Sequence, residues 1–192
     1  MNYPLNFIET LRDWANSPQA EKDLEAVFGQ RIDWAKAYRH VGGLQRGDIS
    51  NLPPVKILPS ESMPGLWGGY SRDLRLVFLS ADCPEDLVVP VLLEEIGHFF
   101  DQEFCKEETP GDEGALFSAL VLGNALNSRE AEDDTLWDLD YAGFVVSVEA
   151  APKVRGKGTP KLRGNQTAVT IPNTGGGTGG GTGGGTGGGT GG

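Results

Sequence analysis

Between Val91 and Asp101 the chain reads VLLEEIGHFFD. At about 100° per helical residue, Glu94, His98 and Asp101 fall within roughly 60° of one another on one face, with Glu95 displaced to the side of His98. The string Glu-Glu-x-x-His has the spacing of the metal-binding helix His-Glu-x-x-His, with Glu94 in place of the first histidine. On such a helix the side chains at i and i+4 converge on one ion, and the intervening glutamate polarises a metal-bound water. Catalytic zinc also needs a third protein donor. The segment GDEG, Gly111–Gly114, offers Asp112 and Glu113 for that place, at the start of the next helix. Asp101 is either a ligand or a group behind the ligands that orients His98.

A plainer reading competes with this one. Eleven acids lie between Asp82 and Glu113 against one base, Lys106, which is also the pattern of a solvated acidic face. However, Leu92, Leu93, Ile96, Phe99 and Phe100 surround His98 in the sequence, so the carboxylates are expected beside a core. Buried carboxylates without a cation or a donor are costly. Two carboxylates and one imidazole would neutralise Zn²⁺, and an oxygen-rich set also suits Ca²⁺ or Mn²⁺. Elsewhere, His40 reads as a surface residue, Cys83 and Cys105 as small apolar residues, and the four tryptophans as core or edge packing. Arg72-Asp73 reads as a turn and nothing more.

The elements that must position these groups follow from periodicity. Phe7, Ile8, Leu11, Trp14 and Ala15 mark one helical face; a second helix is expected from Ser17-Pro18 to Gly29, and a weaker one from Ile32 to Tyr38. Gly42-Gly43 and Asn51–Pro54 read as loops. Val55 and Ile57 alternate with polar neighbours, and Leu66-Trp67 and Tyr70 lead to a turn near Ser71–Asp73. Leu74–Leu79 reads as a half-buried strand able to bind an extended substrate along its edge. A long helix is expected over Leu87–Cys105 with Pro90 in its first turn, and a second from an Asp112 N-cap through Leu126. Leu136–Val148, with Gly143 near its middle, reads as a closing hairpin. This order predicts an α+β domain: N-terminal helices, then a small sheet packed on the helix that carries the candidate site, then a C-terminal hairpin.

Composition divides the 192 residues in three. Residues 1–150 hold all 27 acids and 11 of the 16 Lys and Arg, a net charge of −16, and form the expected domain. Residues 151–174 carry five bases and no acid and read as a basic linker; residues 175–192 contain only glycine and threonine and read as a disordered tether. So acidic a body repels phosphate backbones, which argues against nucleic-acid and anionic-membrane partners. No stretch reaches the 18 or more apolar residues of a membrane span, and Met1–Asn16 lacks the basic and apolar regions of a cleaved signal peptide.

Taken together, VLLEEIGHFFD, TPGDEGALFSALVLGNAL, AEDDT and the closing hairpin resemble the N-terminal domain of large bacterial hemolysin-type calcium-binding surface proteins. The lead-in GDISNLPPVKILPSESMPGLWGGYSRDLRLVFLSAD is similar to that family's approach to the same helix, and the likeness covers most of residues 5–150. The resemblance implies a zincin-like metallopeptidase fold. It also implies a secreted or cell-surface location reached without a cleaved N-terminal signal, with the cytoplasm as the other possibility. It further implies Glu94, His98 and Glu113 as zinc ligands, Glu95 as the general base, and a peptide or protein substrate; Asp101 and Asp112 are the candidate supporting groups behind them. Long relatives continue into repeats where this chain stops, the pattern expected of a short paralogue or a truncated reading frame. The second expectation is a non-catalytic secretion or adhesion module with a structural metal site, which the Gly-Gly-Gly-Thr tether suits.

Overall fold

The computed structural model describes residues 3–107, 111–124, 136–151 and Lys153. The expected tether, almost all of the basic linker, and Leu126 at the end of the second site helix lie outside the described residues. Among the described residues, five α-helices and a five-stranded mixed sheet make an α+β fold. The helices are α1 (Leu5–Ala15), α2 (Ala20–Phe28), α3 (Trp34–Gln45), α4 (Glu85–Phe104) and α5 (Glu113–Val121). The strands are β1 (Val55–Leu58), β2 (Gly68–Ser71), β3 (Leu76–Ser80), β4 (Leu136–Tyr141) and β5 (Phe144–Glu149).

Each of the three N-terminal helices buries one stripe: Phe7, Leu11, Trp14 and Ala15 in α1, Ala20, Leu24, Val27 and Phe28 in α2, and Ala37, Val41 and Leu44 in α3. They pack with α4 and α5 around Phe99, Phe100, Phe104 and Phe117, which are all but inaccessible. α3 runs through Gly42-Gly43, where a loop was expected. The Asp33 side chain caps its start by accepting from the backbone N–H groups of Ala35 and Lys36. Val41 and Leu44 bury on either side of the glycine pair, so packing outweighs the helix-weakening of two glycines.

Along the sheet the strand order is β1-β3-β2-β5-β4; β1 and β3 are parallel and every other pair is antiparallel. Between β4 and β5 the chain turns through Ala142 and Gly143, both at positive φ (55° and 82°), as a two-residue hairpin requires. β3 corrects two expectations. It sits between β1 and β2 with both backbone edges paired, so no substrate strand can add to it. It is also buried on both faces: Val77 joins the helix-side core, whereas Phe78 packs with Leu58, Met63, Leu66, Leu139, Val146 and Val148 beneath the sheet. The packed chain continues to Lys153, whose backbone N–H donates to Gly65 (2.8 Å) and whose ammonium lies over the Trp67 ring.

α4 is the central element. From Val91 to Asp101 every residue is buried, so it is a core helix enclosed on all sides, not a surface helix with one apolar stripe. It starts at Glu85, two residues before the expected point, which places Pro90 in the interior instead of the first turn. Pro90 has no N–H to give its own helix, but its carbonyl accepts from Ser118 Oγ of α5 (2.9 Å). No helix among the described residues is long and apolar enough to cross a membrane.

Candidate metal centre

Two glycines set the distance between α4 and α5. A Cβ on Gly97 would stand 2.7 Å from Gly114 Cα and 3.0 Å from Phe117 Cβ, and a Cβ on Gly114 would collide with His98 Nε2. Only two hydrogen side chains allow the helices to come this close. Gly97 is the glycine of EEIGH and Gly114 the second glycine of GDEG, so the two short strings meet face to face.

That contact brings the first turn of α5 to the acidic face of α4. Ligand atoms of Glu94, His98 and Asp112 lie within 4.8 Å of one another, so the group can hold a metal ion. Glu94 and His98 are buried, His98 completely, and Asp112 is half-buried. Asp112 is also the N-cap of α5: its Oδ1 accepts from Ala115 N–H at 2.6 Å. A carboxylate has enough lone pairs to cap a helix and still face a cation.

Among the described residues the acid that joins Glu94 and His98 is therefore Asp112, which was expected only as a supporting group, and not Glu113. Glu113 is buried one residue further on, and its Oε1 has no hydrogen-bond partner among the described residues. Burial pushes its carboxyl up to about 8, with the nearby charges of Asp101 and Glu149 adding to the rise. Its own backbone N–H and Arg72 act in the opposite direction. Glu95 is fully buried, with Oε1 only 2.6 Å from where a Cβ on Gly68 would stand; β2 makes room for it with a glycine. Asp101, also buried, pairs with Arg72 Nη2 at 2.9 Å.

Two residues that the sequence reading passed over belong to this cluster. Arg72, read as part of a turn, extends from the end of β2 and pairs through Nε with Glu149 and through Nη2 with Asp101. Glu149, at the end of β5, is buried and places Oε2 3.3 Å from His98 Nδ1. The one local signal for Glu149 is alternation. Val146 and Val148 point beneath the sheet, so Glu149 must point toward α4, where a carboxylate is out of place without partners. An open cleft of about 170 Å³, lined by Tyr70, Arg72, Asp73, Leu136, Ser147 and Glu149, borders this side of the cluster. His40 also departs from expectation. It is half-buried against the rings of Phe99, Phe100 and Phe104, and its Nε2 lies 3.7 Å from Glu103.

No family model matches the chain, and neither a curated protein nor a solved structure matches it.

Proposed function

We propose that the chain is a metal-binding domain in which Glu94, His98 and Asp112 hold one divalent cation that pins the start of α5 to α4. The observation that carries this reading is the convergence of those three donors from two helices, in surroundings nearly closed to water. Glu94, Glu95, Asp101, Glu113 and Glu149 are all buried within the same region, and Arg72 supplies a permanent positive charge at one side of it. A cation among the remaining carboxylates offsets a desolvation cost that runs to several kcal/mol per ion. One imidazole with two carboxylates fits Zn²⁺ best. Mn²⁺ accepts the same set, and Ca²⁺, which takes oxygen donors, fits least well. On this reading the domain is a zincin-like module of the kind found at the start of hemolysin-type surface proteins, acting outside the cell as a metal-stabilised secretion or adhesion unit.

A second reading, metallopeptidase-like hydrolysis at the same ion, is favoured by the donor count. Three protein ligands leave tetrahedral zinc a position for water, and when bound the ion would lower the pKa of that water and polarise a peptide carbonyl. Glu95 is then the residue to accept the proton. Its enclosure against Gly68 makes this the less favoured of the two.

The deciding experiment uses the full chain, dialysed against zinc, with metal counted by elemental analysis and unfolded casein offered with and without chelator. About one zinc per chain without casein cleavage is expected. Chelator-sensitive cleavage would overturn the non-catalytic reading in favour of hydrolysis. Absence of stoichiometric metal would overturn both.

A further inference from the structure

Binding an ion through one nitrogen of an imidazole requires that the other nitrogen be held, because the held N–H fixes both tautomer and ring plane. At His98 a close carboxylate is that of Glu149, whose Oε2 lies 3.3 Å from Nδ1, within ion-pair distance but not aligned as a hydrogen bond, while Nε2 lies where a Cβ on Gly114 would stand. Glu149 is not itself loose. Its other oxygen accepts from Arg72 Nε, and Arg72 is fixed from a second direction by Asp101 on α4, one helical turn beyond His98. Arg72 directly follows β2, Glu149 ends β5, and Asp101 and His98 come from α4, so the arrangement closes across the β2–β5 pairing, at Tyr70 opposite Glu149.

We infer that Glu149, clamped by Arg72, is the positioning residue for His98: in the metal-loaded protein its Oε2 accepts from Nδ1–H, which stays on the ring, and Nε2 is presented to the cation held with Glu94 and Asp112. This rests on the proposed metal site and adds to it the group behind the ligand. The geometry also explains why an arginine is placed beside these acids. Arg72 occupies one oxygen of Glu149 and leaves the other turned to the imidazole, which orients that carboxylate.

The test compares zinc affinity and imidazole spectra for the wild type, Glu149→Gln and Arg72→Met. The chain has two histidines, so long-range ¹H–¹⁵N spectra of the zinc-loaded protein resolve His98 from His40. In the wild type the Nδ1 proton of His98 should be observed far downfield, with Nε2 bearing the metal. Glu149→Gln, which keeps volume and an acceptor for Arg72, should weaken zinc about 10-fold or more and move that proton upfield, with helical circular dichroism unchanged. Arg72→Met should move the same resonance in the same direction with the carboxylate still present, an effect that a merely structural role would not produce. A wild type that binds zinc with Nδ1 on the metal, or a Glu149→Gln protein with unchanged affinity and spectrum, overturns the inference and leaves the metal site standing. A wild type that binds no zinc overturns the metal site, and the inference with it.

Discussion

His98 supplies the one nitrogen among the three converging donors, and that makes it the most informative residue to change. Glu94 and Asp112 alone are two carboxylates that must be desolvated to approach each other, and without the imidazole they form a weak oxygen site in a buried place. His98→Ala should therefore lose zinc by at least about 100-fold, more than is usual for a group behind the ligands. Equilibrium dialysis against a zinc-buffered solution reads this directly. Glu95→Gln should behave differently, because its carboxylate lies over Gly68 on the sheet side and keeps its shape as an amide. It should retain one zinc, and any casein cleavage found in the wild type should disappear with it. Equal zinc binding by His98→Ala and the wild type would refute the ligand assignment. Loss of zinc from Glu95→Gln would place Glu95 among the ligands instead.

At the scale of elements, the site depends on how closely α4 and α5 cross, and that depends on Gly97 and Gly114. Replacing a helical glycine by alanine ordinarily stabilises by up to about 1 kcal/mol, since the unfolded chain loses freedom. Gly97→Ala should do the reverse. Its methyl would meet the Gly114 backbone at 2.7 Å, and backbone cannot swing aside, so a cost of about 1–3 kcal/mol is expected. Gly42→Ala in α3 is the control. Its nearest neighbour would be the flexible Arg46 side chain at 3.5 Å, an ordinary contact, and it should stabilise by a few tenths to about 1 kcal/mol. Urea unfolding of both variants measures the contrast, and a stabilised Gly97→Ala would mean that the helices do not cross as closely as described. The same two glycine positions explain what the sequence does and does not disclose about elements. Gly42-Gly43 reads as a break because propensity is local, whereas the burial of Val41 and Leu44 that keeps α3 helical is a property of the assembled core. Pro90 reads as a first-turn proline because the charged start of α4, Glu85-Asp86, carries no apolar signal. β3 reads as half-buried because its alternation cannot reveal a second apolar layer beneath the sheet.

Across the whole molecule, what was legible of the site lies within one helix and the turn after it. Glu94 and His98 are four residues apart, and Asp112 begins the next helix, so helical geometry alone brings them into consideration. Grouping Asp112 with Glu94 and His98 needed the observed approach of α5 to α4, because the Asp112 cap legible in the sequence does not say which of two neighbouring acids faces His98. Arg72 and Glu149 were not legible, since they reach His98 only through the pairing of β2 with β5, a register between segments far apart in the chain. On the proposed reading the ion would fasten α5 to α4, and its removal should be felt in global stability. With free zinc at about 1,000 times Kd, linkage adds about 4 kcal/mol to the folded state. For a domain of this size each kcal/mol moves the midpoint by about 2–4 °C, so a chelator should lower Tm by about 10 °C. Added zinc should restore it, and His98→Ala should show no response to either. Differential scanning calorimetry on the three samples measures the shift, and hydrogen exchange should place the largest loss of protection in α5, which the proposed ion would fasten to α4. A wild-type Tm indifferent to chelator and zinc would show that the buried acids are neutralised by protons and Arg72 alone, with no ion contributing to the fold.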